Sequence, residues 1–276
     1  MQIFQICTLV NDPAAYAEMK RSFIEAGFDE GRCTYTVFDN YSDNRYDPYD
    51  CINQVLSDEV ADSSQNLAPY VIFAHQDLLL DQGHGIEQLS SKLAELDDHD
   101  GNWAIAGNAG VTDNMVLIRH VSDLHGASFD DNLPRPVITL DENLLIIKRS
   151  ANLRCSSNIG GFHLYASDLC LYALMHYKTA YVIDFRLTHL GQGNINENFY
   201  AVQRKFQSRW NPHFLTAFIQ TPCTTFALTR YGGIRRWLDT ARATNYVVAH
   251  PWIYRLLLHL NRKFASRSTN DDQRRV

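Results

Sequence analysis

Residues 70–77 constrain the fold more than any other stretch, because an apolar run gives way there to His75, Gln76 and Asp77. A short apolar run bounded by polar residues predicts a buried central strand. Open α/β sheets bind ligands beyond the carboxyl ends of their strands, and imidazole and carboxylate groups are metal ligands. The sequence therefore predicts a ligand site that includes a metal at the end of this strand.

The residues before this stretch alternate between strand and helix signals. Residues 3–10 predict a strand, and residues 11–13 (Asn-Asp-Pro) provide a cap and a proline for a following helix. Gly27 fits the end of that helix, and the β-rich residues 33–38 come next. A strand, a helix and a strand joined by short links form a βαβ unit, so we expect the sheet to be parallel here.

The chain continues in this α/β order up to about residue 210. The predicted strands are 103–107, 137–148 with an interruption at Asp141 and Glu142, and 180–187; the predicted helices are 51–56, 86–96 and 168–176, and residues 113–134 are predicted to form a short hairpin and a loop. Beyond residue 211 the pattern predicts helices only. We therefore expect an α/β domain over 1–210, a helical C-terminal extension over 211–265 and a disordered polar tail over 266–276.

Length and composition place the chain among soluble globular proteins. It has 276 residues, of which 45% are hydrophobic and 20% charged. Its six cysteines form no CxxC pair and no zinc spacing, so reduced core cysteines of a cytosolic protein are expected. The N-terminus lacks a basic segment, and no apolar run approaches the ~20 residues of a membrane span. These features predict a cytoplasmic protein.

Charge is unevenly distributed along the chain. The net charge is −6, but residues 230–276 contain ten Lys or Arg and three Asp or Glu, a balance of +7, so the remainder has −13. A basic end on an acidic body predicts an interaction segment, which would either contact a membrane peripherally or mediate self-association. Within it, Trp252, Leu256, Leu260 and Phe264 recur on one helix face. That face is expected either to be core or to cover a partner or a membrane.

Two further motifs extend the pattern. The first is Thr139-Leu140-Asp141-Glu142, and the second is the run from Gly160-Gly161-Phe162 to Ser167-Asp168-Leu169. Their order after a strand that ends in His75-Gln76-Asp77 resembles the GT-A nucleotide-sugar glycosyltransferases of family 2, over about residues 3–210. Within that family the chain is similar to a branch typified by a streptomycin-biosynthesis glycosyltransferase-like domain. The resemblance implies a Rossmann-like mixed sheet flanked by helices.

The chain departs from the family pattern at two positions. His75 stands where the first carboxylate of the usual Asp-x-Asp is found, and Ser167 stands where a Glu usually precedes the acidic residue of the later motif. Both departures keep the second acid, Asp77 and Asp168 respectively.

The resemblance implies a metal-dependent transfer. Asp77, His189 and His75 would be ligands of Mn²⁺ or Mg²⁺, and the softer Mn²⁺ tolerates imidazole better. Asp168 would be the base that takes the proton of an acceptor hydroxyl, which gives inversion at the anomeric carbon. The donor would be bound by a set of polar residues after the strands: Asp39, Asn40, Asn108, Asp141 and Glu142.

Each of these residues also has a structural interpretation. Asp168 could cap its helix, and Asp77 and Asn108 could be turn residues. His75 and His189 could be hydrogen-bonded histidines without a metal, and Asp39 could simply shape its loop.

The sequence as a whole thus predicts an inverting glycosyltransferase that moves a sugar from a nucleoside-diphosphate donor to a hydroxyl acceptor, in polysaccharide or glycan biosynthesis. The alternative is a non-catalytic relative that binds a nucleotide sugar or a partner protein. The expected partners are a nucleotide sugar and a glycan or other hydroxyl acceptor, and not a nucleic acid. A phosphoester hydrolase would need more convergent carboxylates or histidines than the pattern provides.

Overall fold

A computed structural model describes residues 2–57, 67–124, 126–191 and 195–261. The predicted tail at 266–276 and Phe264 lie outside these residues. The helices are α1 (Pro13–Glu25), α2 (Pro48–Leu56), α3 (Ile86–His99), α4 (Tyr165–Met175), α5 (Glu197–Trp210), α6 (Gly232–Leu238), α7 (Ala241–Ala249) and α8, described over residues 251–261.

The strands fall into two larger sheets and a hairpin. They are β1 (Phe4–Val10), β2 (Cys33–Asp39), β3 (Tyr70–Ala74), β4 (Leu78–Leu80), β5 (Trp103–Gly107), β6 (Ala109–Val111), β7 (Leu117–Asp123), β8 (Gly126–Phe129), β9 (Arg135–Val137), β10 (Thr139–Leu140), β11 (Leu144–Lys148), β12 (Thr179–Val182), β13 (Leu187–His189), β14 (Ala217–Gln220) and β15 (Thr225–Leu228).

The first βαβ unit forms as its local sequence dictates. The Asp12 side chain accepts hydrogen bonds from the backbone N–H groups of Ala14 and Ala15, and Pro13 opens α1. Gly27 follows the helix with a φ of +93°, a conformation that favours glycine. Strands β1 and β2 then pair in parallel, which confirms the prediction for this part of the sheet.

The central sheet has the order β2-β1-β3-β11-β5-β12-β9. Strand β11 runs antiparallel to both of its neighbours, β3 and β5, whereas β1, β2 and β3 are parallel to one another. Helices cover both faces of this sheet. The predicted fold class, an α/β architecture with a mixed sheet flanked by helices, is confirmed.

Strand β3 lies in the middle of the core. Its side chains alternate, with Val71 and Phe73 in the core on one face, and Ile72 and Ala74 in the core on the other. Helices α1 and α3 pack on the second of these faces, and α2, α4 and α5 pack on the first. Burial on both faces explains why the strand is a continuous apolar run.

A second sheet, β10-β6-β7-β13-β4 with β8 beside β7, lies next to the central one. The predicted strand over 180–187 is in fact two strands, because β12 belongs to the central sheet and β13 to the second sheet. The predicted strand over 137–148 likewise divides into β9, β10 and β11. The hairpin predicted within 113–134 is present as β7 and β8.

The region after residue 211 is not helical only, as the sequence pattern had predicted. Strands β14 and β15 form an antiparallel hairpin before α6, α7 and α8 begin. Both faces of the hairpin are buried, because Phe218 and Ala227 pack in one core cluster and Ile219 and Phe226 pack in another. The division into domains at residue 210 stays a prediction.

The expectations for the cysteines and for the apolar stripe of α8 have different outcomes. All six cysteines are free, and five of them are buried. The interpretation of the α8 stripe as core is wrong, because Trp252 is 64% exposed and Leu256 and Leu260 are also exposed. None of the described helices combines the length and apolar character that a membrane span needs.

Candidate metal centre

The candidate site forms where β3 ends. Backbone pairing with β11 continues one residue beyond β3, because the N–H of His75 donates to the carbonyl of Asn143 at 2.9 Å. The chain then turns through Gln76 and Asp77 into β4 of the second sheet. His75 and Asp77 therefore lie in a turn between two sheets, and not on a continuing strand.

His189 reaches the same turn from β13. Strand β13 pairs antiparallel with β4, with His189 opposite Leu78. The N–H of Leu190 donates to the carbonyl of Asp77 at 3.0 Å. Strand pairing thus holds Asp77 and His189 side by side, although they are 112 positions apart in sequence.

The three predicted metal ligands converge. Nδ1 of His75 lies 3.4 Å from Nε2 of His189, and the same Nε2 lies 3.4 Å from Oδ1 of Asp77. One ligand atom from each residue lies within 4.8 Å of the other two, and each side chain is partly buried. This is the one group of its kind among residues 2–57, 67–124, 126–191 and 195–261.

Tyr165 fixes which nitrogen of His75 faces the site. The Tyr165 hydroxyl donates its single proton to the carbonyl of Glu142 at 3.0 Å. Its oxygen is 3.0 Å from Nε2 of His75, so Nε2 must be the protonated nitrogen that donates. The Nδ1 lone pair therefore faces His189 and can bind a cation. An outer hydrogen bond of this kind is what orients histidines that bind metals.

We expect Tyr165→Phe to weaken Mn²⁺ binding about tenfold, because the variant loses the hydrogen bond that holds the His75 tautomer. Isothermal titration with MnCl₂ measures the change. Phenylalanine keeps the ring contacts of Tyr165 with Tyr49 and Phe73, so the melting temperature tests that the fold is retained. An unchanged Mn²⁺ affinity would contradict the role of the hydroxyl.

The charges of the three residues are coupled. Burial alone would raise the pKa of Asp77, but the hydrogen bond and charge of His189 outweigh it and lower this pKa. Burial lowers the pKa of His189, yet Asp77 raises it above its ordinary value. Burial and the neighbouring His189 lower the pKa of His75. Asp77 and His189 therefore each stabilise the charged form of the other, whereas burial and His189 favour the neutral form of His75.

The Asp77 carboxylate occupies space that is available only because residue 191 is a glycine. A Cβ atom at position 191 would lie 2.1 Å from Oδ2 of Asp77 and 3.4 Å from Nε2 of His189. Real Cβ atoms do not approach a carboxylate oxygen this closely, so any larger residue would displace Asp77. The glycine is thus part of the geometry of the site.

A pocket of about 190 Å³ opens beside the triad. Its lining includes His75 and Asp77, the amides Asn11, Asn40, Asn44 and Gln76, and the rings of Phe73, Phe162 and Tyr165. Gln76 ties the turn to the end of β1, because its Oε1 accepts from the N–H groups of Asn11 and Asp12 at 3.0 and 2.9 Å. The pocket therefore combines metal ligands with hydrogen-bonding amides and aromatic rings.

The residues predicted to bind the donor are not all at this pocket. Asn40 lines it, although the Asn40 side chain also exchanges hydrogen bonds with the backbone of Tyr46. Asp39 is exposed and accepts from the N–H of Tyr41, as a loop-forming residue does. Asn108 is fully buried away from the lining residues, and neither of its amide atoms has a partner among the described residues.

The acidic pair Asp141–Glu142 lies between the triad and α4. Oδ1 of Asp141 accepts from the N–H groups of Glu142 and Asn143. Its charge contributes to the raised pKa of His189 and partly offsets the lowering of the pKa of His75. Burial and the charge of Asp141 raise the pKa of Glu142 to about 8, against the backbone N–H groups of residues 164–166 that lower it. Glu142 is thus largely protonated at neutral pH.

This shifted pKa predicts a pH-dependent stability. The folded protein holds the Glu142 proton better than the unfolded chain does, so the free energy of unfolding falls as pH rises from about 4.5 to 8. Because Glu142 is partly exposed, the effect is smaller than the full shift in pKa would give. We expect the free energy of unfolding of Glu142→Gln to increase relative to that of wild type by roughly 1–3 kcal/mol between pH 5 and pH 8. Urea unfolding at both pH values measures this difference. Glu25→Gln, at an exposed position of α1, is the matched control, and equal behaviour of both variants would refute the prediction.

Asp168 is enclosed and does not line the pocket. Its helix begins at Tyr165, three residues earlier than predicted, so Asp168 lies in the first turn and not at the cap. The residue is 0% exposed. Its carboxylate accepts from the N–H and Oγ of Ser156 at 2.6 and 2.9 Å and from Nε1 of Trp210 at 2.7 Å. Burial raises its pKa in spite of these bonds.

Sequence reasoning missed three residues that shape the site. Tyr165 follows the motif that begins at Gly160, but a tyrosine among apolar residues is more often core. Gln76 lies between the predicted ligands His75 and Asp77, and this position is the signal that could have identified it as a residue of the site. Gly191 had no signal in the sequence, because a single sequence does not show which carboxylate a glycine accommodates.

The donor set fits a divalent transition metal. Two imidazoles and one carboxylate suit Mn²⁺ better than Mg²⁺, which prefers oxygen ligands and water. The Nδ1 atom of His75 faces His189, and the absence of a side chain at position 191 lets the Asp77 carboxylate lie beside His189. The donor set is thus compatible with a divalent cation, and the choice between the predicted Mn²⁺ and Mg²⁺ stays a prediction.

Solved structures with similar folds share little sequence with the chain. TarS of S. aureus in complex with UDP-GlcNAc has 12% identity and a TM-score of 0.48, over 75% of this chain and 66% of that chain. GalNAc-T7 with UDP, GalNAc and Mn²⁺ has 8% identity and a TM-score of 0.42, over 72% and 45%. A197 from STIV has 9% identity and a TM-score of 0.42, over 69% and 87%. TM-scores below 0.5 leave the function of this chain to be argued from its own residues.

A sequence relative gives the family. No family model matches the chain. A protein named "ATP synthase subunits region ORF 6" from Fuscovulum blasticum is 30% identical over 239 residues, which cover 84% of this chain and 92% of the relative. Its name states a chromosomal region and no activity. Identity at this level over nearly the full length of both proteins shows that the chain belongs to the family of the Fuscovulum blasticum ORF 6 protein.

Proposed function

We propose that the chain is a metal-dependent glycosyltransferase with a GT-A fold, which moves a sugar from a nucleoside-diphosphate donor to a hydroxyl acceptor. The observation that carries the proposal is the convergence of His75, Asp77 and His189 beside a pocket at the carboxyl end of β3. Ligands of open α/β sheets bind at this edge. The motif resemblance supports the proposed assignment to the GT-A glycosyltransferases, and the streptomycin-like branch stays a prediction.

The residues of the site have distinct tasks in this proposal. His75, Asp77 and His189 would hold a divalent cation, which supplies Lewis-acid stabilisation of a departing diphosphate. Asn11, Asn40 and Gln76 offer amide groups at the pocket wall for the polar parts of a nucleotide. Gln76 and Asn11 also hold each other, since Nε2 of Gln76 donates to Oδ1 of Asn11, and this contact keeps the pocket wall in place.

Inversion of the anomeric carbon needs a base on the face opposite the leaving group. Asp168 is the proposed base by resemblance, and it would have to leave its bonds to Ser156 and Trp210 to reach an acceptor. This enclosure favours a second candidate function, a non-catalytic protein that binds a nucleotide sugar. The two functions share the metal and nucleotide site and differ only in turnover.

One experiment separates the possibilities. Isothermal titration of the chain with UDP is carried out with Mn²⁺ and with EDTA, and turnover of UDP-sugars is followed by release of UDP. We expect UDP binding that requires Mn²⁺ and that is lost in Asp77→Ala. Binding without turnover of any UDP-sugar would favour the second candidate. Absence of both Mn²⁺-dependent binding and turnover would reject both.

The pH dependence of the same titration gives a second check on the ligand set. Because Asp77 raises the pKa of His189 above its ordinary value, and a cation binds only the neutral imidazole, Mn²⁺ affinity is expected to rise with pH until His189 has lost its proton in the free protein. Isothermal titration of the wild-type protein with MnCl₂ across a pH series measures this dependence, and an Mn²⁺ affinity that does not change with pH would contradict His189 as a ligand.

A further inference from the structure

The C-terminal helices α6, α7 and α8 present an outer surface that the proposed function does not use. Their inner residues, Leu238, Val247, Tyr254 and Leu258, pack in one cluster with Phe218 and Ala227 of the hairpin β14–β15. All three helices therefore rest on the same hairpin. Their outer faces point away from it.

Large aromatic side chains are exposed on these outer faces. Trp237 is 69% exposed, Trp252 is 64% exposed and Tyr246 is 57% exposed. Aliphatic residues are exposed beside them on the same helices: Ile234, Val248, Leu256 and Leu260. Single exposed apolar residues are normal on protein surfaces, but a clustered set marks an interaction site.

Helix α8 shows the pattern most clearly. Trp252, Leu256 and Leu260 are spaced four residues apart, so they form one stripe along the helix. Tyr254 and Leu258 lie on the buried side. The helix thus has two apolar sides, of which one packs against the hairpin and the other faces solvent.

The charge of this surface is positive. Described residues 230–261 contain five arginines and one acidic residue, Asp239. The two carboxylate oxygens of Asp239 accept from the N–H of Ala227 and from Nε2 of Gln207, so they are directed to the hairpin and α5. Arg235, Arg236 and Arg242 are exposed. The rest of the chain is acidic, so the positive charge is local.

We propose that the outer faces of α6, α7 and α8 dock on an anionic lipid surface. Tryptophan and tyrosine partition into the headgroup region of a bilayer, and arginines beside them pair with lipid phosphates. The helices would lie on the membrane with their apolar side chains at the headgroup boundary. A second copy of the chain fits less well, because a face-to-face dimer would bring Arg235, Arg236 and Arg242 of both copies together.

Vesicle co-sedimentation of the full chain tests the proposal. We expect binding to vesicles that contain phosphatidylglycerol and little binding to phosphatidylcholine alone, with a marked loss in high salt. Arg235→Gln with Arg236→Gln is expected to weaken binding about fivefold for each arginine replaced. Trp237→Ala with Trp252→Ala is expected to weaken it at least tenfold in both salt conditions.

Matched controls separate docking from loss of the fold. Tyr177→Ala removes an aromatic residue that is 66% exposed outside these helices, and it should bind vesicles as wild type does. Thermal melts show whether each variant remains folded, and the arginine variant is informative even if the tryptophan variant is unstable. Failure to bind anionic vesicles would overturn the proposal. Equal binding by all variants, or a dimer that Trp237→Ala and Trp252→Ala dissociate, would overturn it as well. The inference does not depend on glycosyl transfer, because binding alone is measured.

Discussion

Replacement of Gly191 by alanine is expected to abolish Mn²⁺ binding, with a loss of affinity of at least 100-fold and a comparable loss of any metal-dependent turnover. The added Cβ would lie 2.1 Å from Oδ2 of Asp77, so the carboxylate must rotate out of the triad. Removal of one ligand of three leaves His75 and His189 without the carboxylate that would offset the charge of the bound ion. The effect is expected to exceed that of Tyr165→Phe, which perturbs orientation and leaves all three ligands in place.

The fold of the Gly191→Ala variant is expected to remain intact. Asp77 is only partly buried, so its carboxylate can turn toward solvent at small cost to the free energy of unfolding. The matched control is Gly101→Ala, where an added Cβ meets nothing within 4 Å. Isothermal titration with MnCl₂ and thermal melts of both variants measure the two effects. Mn²⁺ affinity equal to that of wild type in Gly191→Ala would show that the ion is bound elsewhere.

The sequence could predict the triad because its members follow strands. An apolar run that ends in His75-Gln76-Asp77 marks a strand end, and strand ends at one edge of a sheet meet in space. His189 was added by the family resemblance, just past the last predicted strand, and the structure places it on a strand of the second sheet. A turn into β4, and not a continuing strand, brings His75 and Asp77 together.

Other parts of the site depend on contacts that spacing does not reveal. The proton of Tyr165 goes to the backbone of Glu142, and only this detail sets the tautomer of His75. Trp210 reaches Asp168 across 42 positions of the chain, and a sequence pattern does not show such a partner. The hairpin β14–β15 was missed because its strands are four residues each, too short to separate from helical periodicity.

The enclosure of Asp168 leads to a prediction that distinguishes a structural role from a catalytic one. We expect Asp168→Asn to lower the free energy of unfolding by roughly 2–4 kcal/mol. The carboxylate accepts from three donors, two on Ser156 and one on Trp210. Asparagine has one acceptor oxygen, so its NH₂ group must face at least one of these donors in a site that is 0% exposed.

Urea unfolding of Asp168→Asn, with exposed Asp98→Asn on α3 as the control, measures this loss at pH 7. Trp210→Phe removes one donor, so a double-mutant cycle with Asp168→Asn should show positive coupling between the two residues. If Asp168 acts chiefly as a base, the result reverses: Asp168→Asn then keeps the stability of wild type and binds UDP and Mn²⁺, but it loses turnover of the donor. Because the stability of the variant and its turnover are measured separately, the three hydrogen bonds of Asp168 and its proposed role as a base can each be refuted without the other.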